Sequence, residues 1–158
     1  MKLVWSALLA GVGTTLGFVL VCIAPFVAVA TLAARTLPAR YAFGAVVAMW
    51  SLNQFVGFTF LHYPHAATTY GWGLAMGVAA LLAMAVARRV AAPIFAFAAA
   101  FVVDELALFA YGAGIGEHGG FTPAIVAEVL LGNLVGLALL GAVRLVMTAG
   151  ARRWSSLA

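Results

Sequence analysis

Five long apolar blocks, separated only by short polar connections, run through this chain of 158 residues. Each of the last four is close to the length of about 20 residues that an α-helix needs to cross the hydrocarbon core of a bilayer. Charged residues make up only 8% of the chain, whereas soluble domains carry about 25%, so the chain cannot cover its surface for water. A β-barrel needs alternating apolar and polar residues, and these blocks are continuous. The sequence therefore predicts an all-α, polytopic transmembrane helix bundle.

The first apolar block, residues 3–34, is too long for one simple span. As a straight helix it would measure about 48 Å, against a hydrocarbon core of about 30 Å. Pro25 and the glycines Gly11, Gly13 and Gly17 favour a span followed by a shorter, kinked or partly re-entrant helix, which makes six helices in total. Five helices are the alternative, and a secretory signal peptide is another interpretation of this block. The predicted spans, all within one domain covering residues 1–158, are 3–20, 21–34, 41–61, 70–87, 90–111 and 121–147.

The cationic residues lie near the ends of the apolar blocks, and this placement predicts the orientation of the chain. If the turn with Arg35 and Arg40 is cytoplasmic, then Arg88, Arg89 and the arginines of the C-terminal end are cytoplasmic as well, in agreement with the positive-inside rule. We therefore expect a multi-pass protein of the cell's inner membrane with a cytoplasmic C-terminus. The same placement accounts for the net charge of +4, so the expected partner is membrane lipid and not nucleic acid.

In this orientation, all four carboxylates and all three histidines fall in the outer third of the protein. A charge in hydrocarbon costs several kcal/mol, and none of the intramembrane acids has a Lys or Arg at similar depth in its own block. We therefore predict a polar pocket that opens to the outside and favours a cationic solute. Its candidate substrate-binding residues are Asn53, Gln54, Asp104, Glu105 and Glu128. The alternative is that these side chains hydrogen-bond to neighbouring helices and only hold the bundle together.

The loops on the same side carry a second candidate site, for a divalent metal ion. His62, His65, Glu117 and His118 offer nitrogen and oxygen ligands suited to nickel, cobalt or zinc. Pro64 interrupts the helical spacing of the first two histidines. The alternative is an interfacial loop whose histidines and tyrosines lie at headgroup level. The sequence indicates no cofactor beyond this metal, and it shows neither a recognisable catalytic constellation nor a nucleotide-binding loop.

The short chain, the abbreviated second helix and the small residues of Ala7–Gly17 and Ala30–Ala34 resemble the substrate-binding S-components of energy-coupling factor importers. The outward polar residues that contribute to this likeness are Asn53, Gln54, Asp104, Glu105 and Glu128. In that family the S-component captures a vitamin or metal from outside and docks on a shared transmembrane partner that carries two ATPases. The nickel and cobalt relatives use a histidine at the extreme N-terminus, a pattern that Met1-Lys2-Leu3 does not show.

The resemblance implies a membrane transport subunit that captures a small, vitamin-like cation and docks on a helical membrane partner. Two other functions stay open at this point. One is an accessory structural subunit of a larger membrane complex, and the other is a divalent-metal permease.

Overall fold

The computed structural model describes residues 2–19, 24–117 and 121–155, and these residues form six α-helices. The helices are α1 Lys2–Val19, α2 Phe26–Thr36, α3 Ala39–Thr59, α4 Ala67–Arg89, α5 Pro93–Ile115 and α6 Pro123–Ser155. Within the described residues, α3, α4, α5 and the segment Pro123–Gly150 of α6 are long and apolar enough to cross a membrane. The predicted all-α membrane bundle of six helices is therefore confirmed.

The second helix is short, as predicted, and it lies at the centre of the bundle. It begins directly after Pro25 and ends before Pro38, because the residue that precedes a proline is pushed out of the helical region. Eight of its 11 residues are buried, and α2 packs against all five other helices. At 1.5 Å per residue it is only about 16 Å long. It therefore fills about half of the space that α3 to α6 enclose.

The other five helices surround α2 in the order α5, α4, α3, α1, α6. Consecutive members of this order pack against each other, and fully buried alanines such as Ala79, Ala80 and Ala83 of α4 allow a close approach. Among the described residues, α5 and α6 make no comparable contact with each other. The ring of helices around α2 is therefore open on one side.

The two ends of the bundle differ in charge. At the end where α2 finishes, the Arg35 guanidinium donates to the carbonyl oxygens of Val90 and Ala91, at 2.9 and 2.6 Å. Arg88 donates in the same region to the carbonyl oxygens of Ala34 and Leu37, which satisfies carbonyls that a helix leaves free at its C-terminus. We call this the arginine end, and the opposite end, which carries the loops after α3 and α5, the loop end.

The α5 helix continues four residues beyond its predicted end, to Ile115. Gly116 adopts a left-handed conformation with a φ of 79° and donates its N–H to the Ala113 carbonyl at 3.3 Å, and the following N–H donates to the Gly112 carbonyl at 2.8 Å. This pair of bonds is the Schellman arrangement, which closes a helix at a glycine. As a result, Asp104 lies about 16 Å from the end of its helix, and not about 10 Å.

Candidate functional site

A cavity of about 800 Å³ lies in the bundle between the start of α2 and the loop end. It exists because α2 is shorter than the helices around it, which leaves this half of the centre without a helix. Its walls come from α1, α3, α4, α5 and α6, together with the residues at the start of α2. Sites for small organic molecules typically measure about 300–1,000 Å³, so the cavity is large enough for a ligand of that class.

The lower boundary of the cavity lies where α2 begins. Oδ1 of Asn133, on α6, accepts a hydrogen bond from the backbone N–H of Ala28 at 3.1 Å, and Nδ2 donates to the Val129 carbonyl at 3.0 Å. Asn133 is only 1% exposed. It therefore satisfies one of the N–H groups that the first turn of a helix leaves without a partner inside the helix.

Two carboxylates of α5, Asp104 and Glu105, line the cavity close to this level. Arg35, near the end of α2, bonds to the backbone that directly precedes α5, so the end of α2 and the start of α5 lie at a common level at the arginine end. A rise of 1.5 Å per residue then places Asp104 within about one helical turn of Phe26, the first residue of α2. We define the cavity floor as Phe26, Asp104, Glu105 and Asn133.

Neither carboxylate of the cavity floor has a partner in the part of the chain that the structure describes. Asp104 is 6% exposed and Glu105 is partly buried, yet neither makes a hydrogen bond or an ion pair with another described residue. No Lys or Arg is among the described residues that line the cavity. Buried charges in proteins are normally paired, so the floor offers two free acceptors to a positively charged group.

Above the floor, the walls of the cavity are mainly apolar and aromatic. Leu108 stands one turn above Asp104 on α5, and Ile125 and Val129 line the cavity from α6. Nearer the loop end, Trp72 and Phe121 lie with their ring centroids 6.3 Å apart. We define the upper wall as Leu108, Ile125, Val129, Trp72 and Phe121.

The one carboxylate that lines the cavity near the loop end, among the described residues, already has a hydrogen bond. Nε1 of Trp72 donates to the Glu117 carboxylate at 2.7 Å, and Glu117 is exposed. The free acceptors are therefore at the cavity floor, while the acid at the rim is held by the upper wall.

The structure brings three of the five predicted substrate-binding residues to the cavity, namely Asn53, Asp104 and Glu105. Gln54 instead turns towards α4 and packs on Gly73, and its Nε2 is buried with no hydrogen-bond partner among the described residues. Glu128 is exposed and lies outside the cavity lining. Successive residues of a helix are 100° apart, so Glu128 projects from the flank of α6 while its neighbour Val129 faces the cavity.

The predicted metal ligands do not form one cluster in the described part of the chain. Nδ1 of His65 is 2.7 Å from the hydroxyl oxygen of Tyr70, Glu117 accepts from the indole described above, and His62 is exposed with a φ of 54°. His118 lies outside the described residues. Within those residues, no group of three His, Cys, Asp or Glu side chains could hold a metal ion.

Asn133 and the aromatic part of the upper wall were not among the predicted site residues. Asn133 lies deep in the last apolar block, and in the structure it forms a hydrogen bond between α6 and α2. Its place on the cavity floor depends on where α2 begins. The short length of the second helix is the sequence signal that could have indicated this role of Asn133, because the free N–H groups of a helix that starts inside the bundle need a polar partner there.

The fold and the cavity define the class of protein: a polytopic helical membrane protein with an acidic cavity in one half of the bundle. The chain matches no protein-family model, no curated protein and no solved structure.

Proposed function

We propose that this protein is a small solute-binding subunit of a membrane transporter and that its cavity binds an organic cation. The observation that carries the proposal is Asp104, a residue that is only 6% exposed, lines a cavity of about 800 Å³ and has no partner among the described residues. A buried charge without a partner costs folding free energy. A ligand that supplies the opposite charge explains why this position carries an acid.

The side of the membrane from which the cavity is reached follows, in this proposal, from the arginines. Arg35 and Arg88 bond to backbone carbonyls at the arginine end, and basic residues favour the cytoplasmic side of a membrane. The cavity lies towards the loop end, which is then external. The protein thus captures its solute from outside, and its C-terminus is cytoplasmic.

The sequence shows no nucleotide-binding loop, so we propose that ATP drives transport through another subunit. The resemblance to S-components of energy-coupling factor importers supports a transmembrane partner that carries ATPases. A cavity of this size also suits a vitamin-like solute. We therefore propose an S-component-like role in the inner membrane.

The test is mass spectrometry of the small molecules that are released from protein purified without a polyhistidine tag in lipid nanodiscs. We expect an organic cation from the wild type and from Glu128→Gln, whose exposed side chain lies outside the cavity lining. The same cation should be missing from Asp104→Asn, which keeps the shape of the side chain and removes its charge.

Other outcomes of the same purification would overturn the proposal. Co-purification of protein subunits with no small molecule would favour an accessory structural subunit. Stoichiometric nickel, cobalt or zinc in elemental analysis, in place of an organic cation, would favour a metal permease.

A further inference from the structure

We infer that the solute is amphipathic: an organic cation with an apolar or aromatic body, which binds with its charged group at the cavity floor and its body against the upper wall. This inference rests on the proposed function. It adds the polarity of the solute and the direction in which the solute lies in the cavity.

The position of the charged group follows from which carboxylates are free. Asp104 and Glu105 make no hydrogen bond or ion pair with another described residue, whereas Glu117 at the rim accepts from Nε1 of Trp72 at 2.7 Å. A cation that stayed at the rim would meet a carboxylate that is exposed to water and already bonded, where an ion pair is worth little. A cation at the floor meets a buried carboxylate that lacks a countercharge, where pairing is worth more.

The apolar body follows from what lines the cavity directly above the floor. Leu108 lies about 6 Å above Asp104 along α5, and Val129 and Ile125 lie about 6 and 12 Å above Asn133 along α6. A solute that extends upward from the carboxylates along α5 and α6 therefore passes Leu108, Val129 and Ile125, and the indole of Trp72 lines the same cavity. A small hydrophilic cation would leave these walls uncovered and most of the 800 Å³ unfilled.

The experiment is calorimetric titration of the protein in nanodiscs with a graded series of ammonium ions. The probes are methylammonium, butylammonium, hexylammonium and 4-phenylbutylammonium, with 4-phenylbutan-1-ol as the neutral partner of the last and empty nanodiscs as the correction for lipid partition. Each methylene that is buried contributes about 0.8 kcal/mol, which corresponds to about a fourfold gain in affinity. We expect this gain along the series and weak binding of the neutral alcohol.

Two variants separate the floor from the upper wall. Asp104→Asn should bind 4-phenylbutylammonium no better than the alcohol. Val129→Thr, which replaces one methyl group with a hydroxyl of similar volume, should weaken binding of 4-phenylbutylammonium several-fold and leave binding of methylammonium unchanged. Val135→Thr is the matched control, because Val135 is exposed on α6 and lies outside the cavity lining.

The possible failures are distinguishable. If methylammonium binds as tightly as 4-phenylbutylammonium and both bindings are lost in Asp104→Asn, the solute is a cation but not an amphipathic one, so this inference fails and the proposed function stands. If none of the ammonium ions binds, or if Asp104→Asn binds them like the wild type, the proposed function fails together with the inference.

Discussion

Asp104 combines burial with the absence of a partner among the described residues, which predicts a conflict between stability and ligand binding at this one side chain. Asp104→Asn keeps the shape and removes the cost of burying a charge. We expect the empty protein to melt at an equal or higher temperature, with a gain of about 2–4 °C for each kcal/mol recovered. The measurement is thermal unfolding in detergent, followed by tryptophan fluorescence.

Glu128→Gln is the control for this prediction, since the Glu128 side chain is exposed. The melting temperature of this variant should stay within about 1 °C of that of the wild type, as is usual for surface substitutions. A clear fall in the melting temperature of Asp104→Asn would mean that the Asp104 carboxylate stabilises the bundle. That result would support the alternative that the acids only hold helices together.

Asn133 is expected to be structural, in contrast to Asp104. Its Oδ1 is the acceptor for the Ala28 N–H, so Asn133→Leu leaves a buried donor unsatisfied, at a cost of about 1–3 kcal/mol. Thr15→Val is the control, because the Thr15 hydroxyl is exposed and donates to the Gly11 carbonyl of its own helix. Equal melting temperatures for the two variants would contradict a capping role for Asn133.

The contact between α2 and α6 depends on Gly136, and it predicts that a substitution on α6 displaces α2. A Cβ added at Gly136 would lie 2.6 Å from Cβ of Pro25 and 3.5 Å from Cβ of Ala28. The proline ring is rigid and cannot turn aside, so Gly136→Ala should push the start of α2 away from α6. Overpacking of this kind costs about 1–3 kcal/mol, which exceeds the gain of up to about 1 kcal/mol in helix propensity.

The same substitution at Gly141 provides a matched control on the same helix. A Cβ there meets nothing within 4 Å, so Gly141→Ala should raise the melting temperature slightly through helix propensity alone. Because Phe26 and Asn133 belong to the cavity floor, Gly136→Ala should also weaken cation binding. If both glycine variants behave alike, the close approach at Gly136 is not what positions α2.

At the level of elements, the sequence predicted the number and order of the helices well, because α3 to α6 are each defined by the length of an apolar block. Helix ends were predicted less well. The glycines after Tyr111 have low helix propensity and the predicted span ends at residue 111, whereas α5 continues to Ile115 and closes at the left-handed Gly116. Gly114 is exposed with open space around it, so the helix meets no obstacle there.

At the level of the site, the sequence predicted the acidic residues but not which side chains face each other. Asn53 and Gln54 are neighbours and point 100° apart on α3, and only Asn53 lines the cavity. Which of the two side chains lines the cavity depends on the rotation of α3 about its axis. This rotation is fixed by the close packing of Gln54 on Gly73 and by the hydrogen bond from Trp50 to the Gly73 carbonyl at 2.7 Å. Such contacts between distant segments are not encoded in the periodicity of one helix.

For the molecule as a whole, the separation of the arginine end from the loop end predicts its orientation in the membrane. One reporter cysteine is placed at His65, in the loop just before α4, and the other at Arg88, in the last turn of α4. The background carries Cys22→Ala, which replaces the single native cysteine. We expect the reporter at position 65 to react with a membrane-impermeant maleimide in intact cells and the reporter at position 88 to react only after permeabilisation, because basic residues favour the cytoplasmic side. Expression and folding are controlled by labelling both variants after solubilisation in detergent. The opposite labelling pattern would place the cavity towards the cytoplasm, and capture of a solute from outside would then be wrong whatever cation the cavity binds.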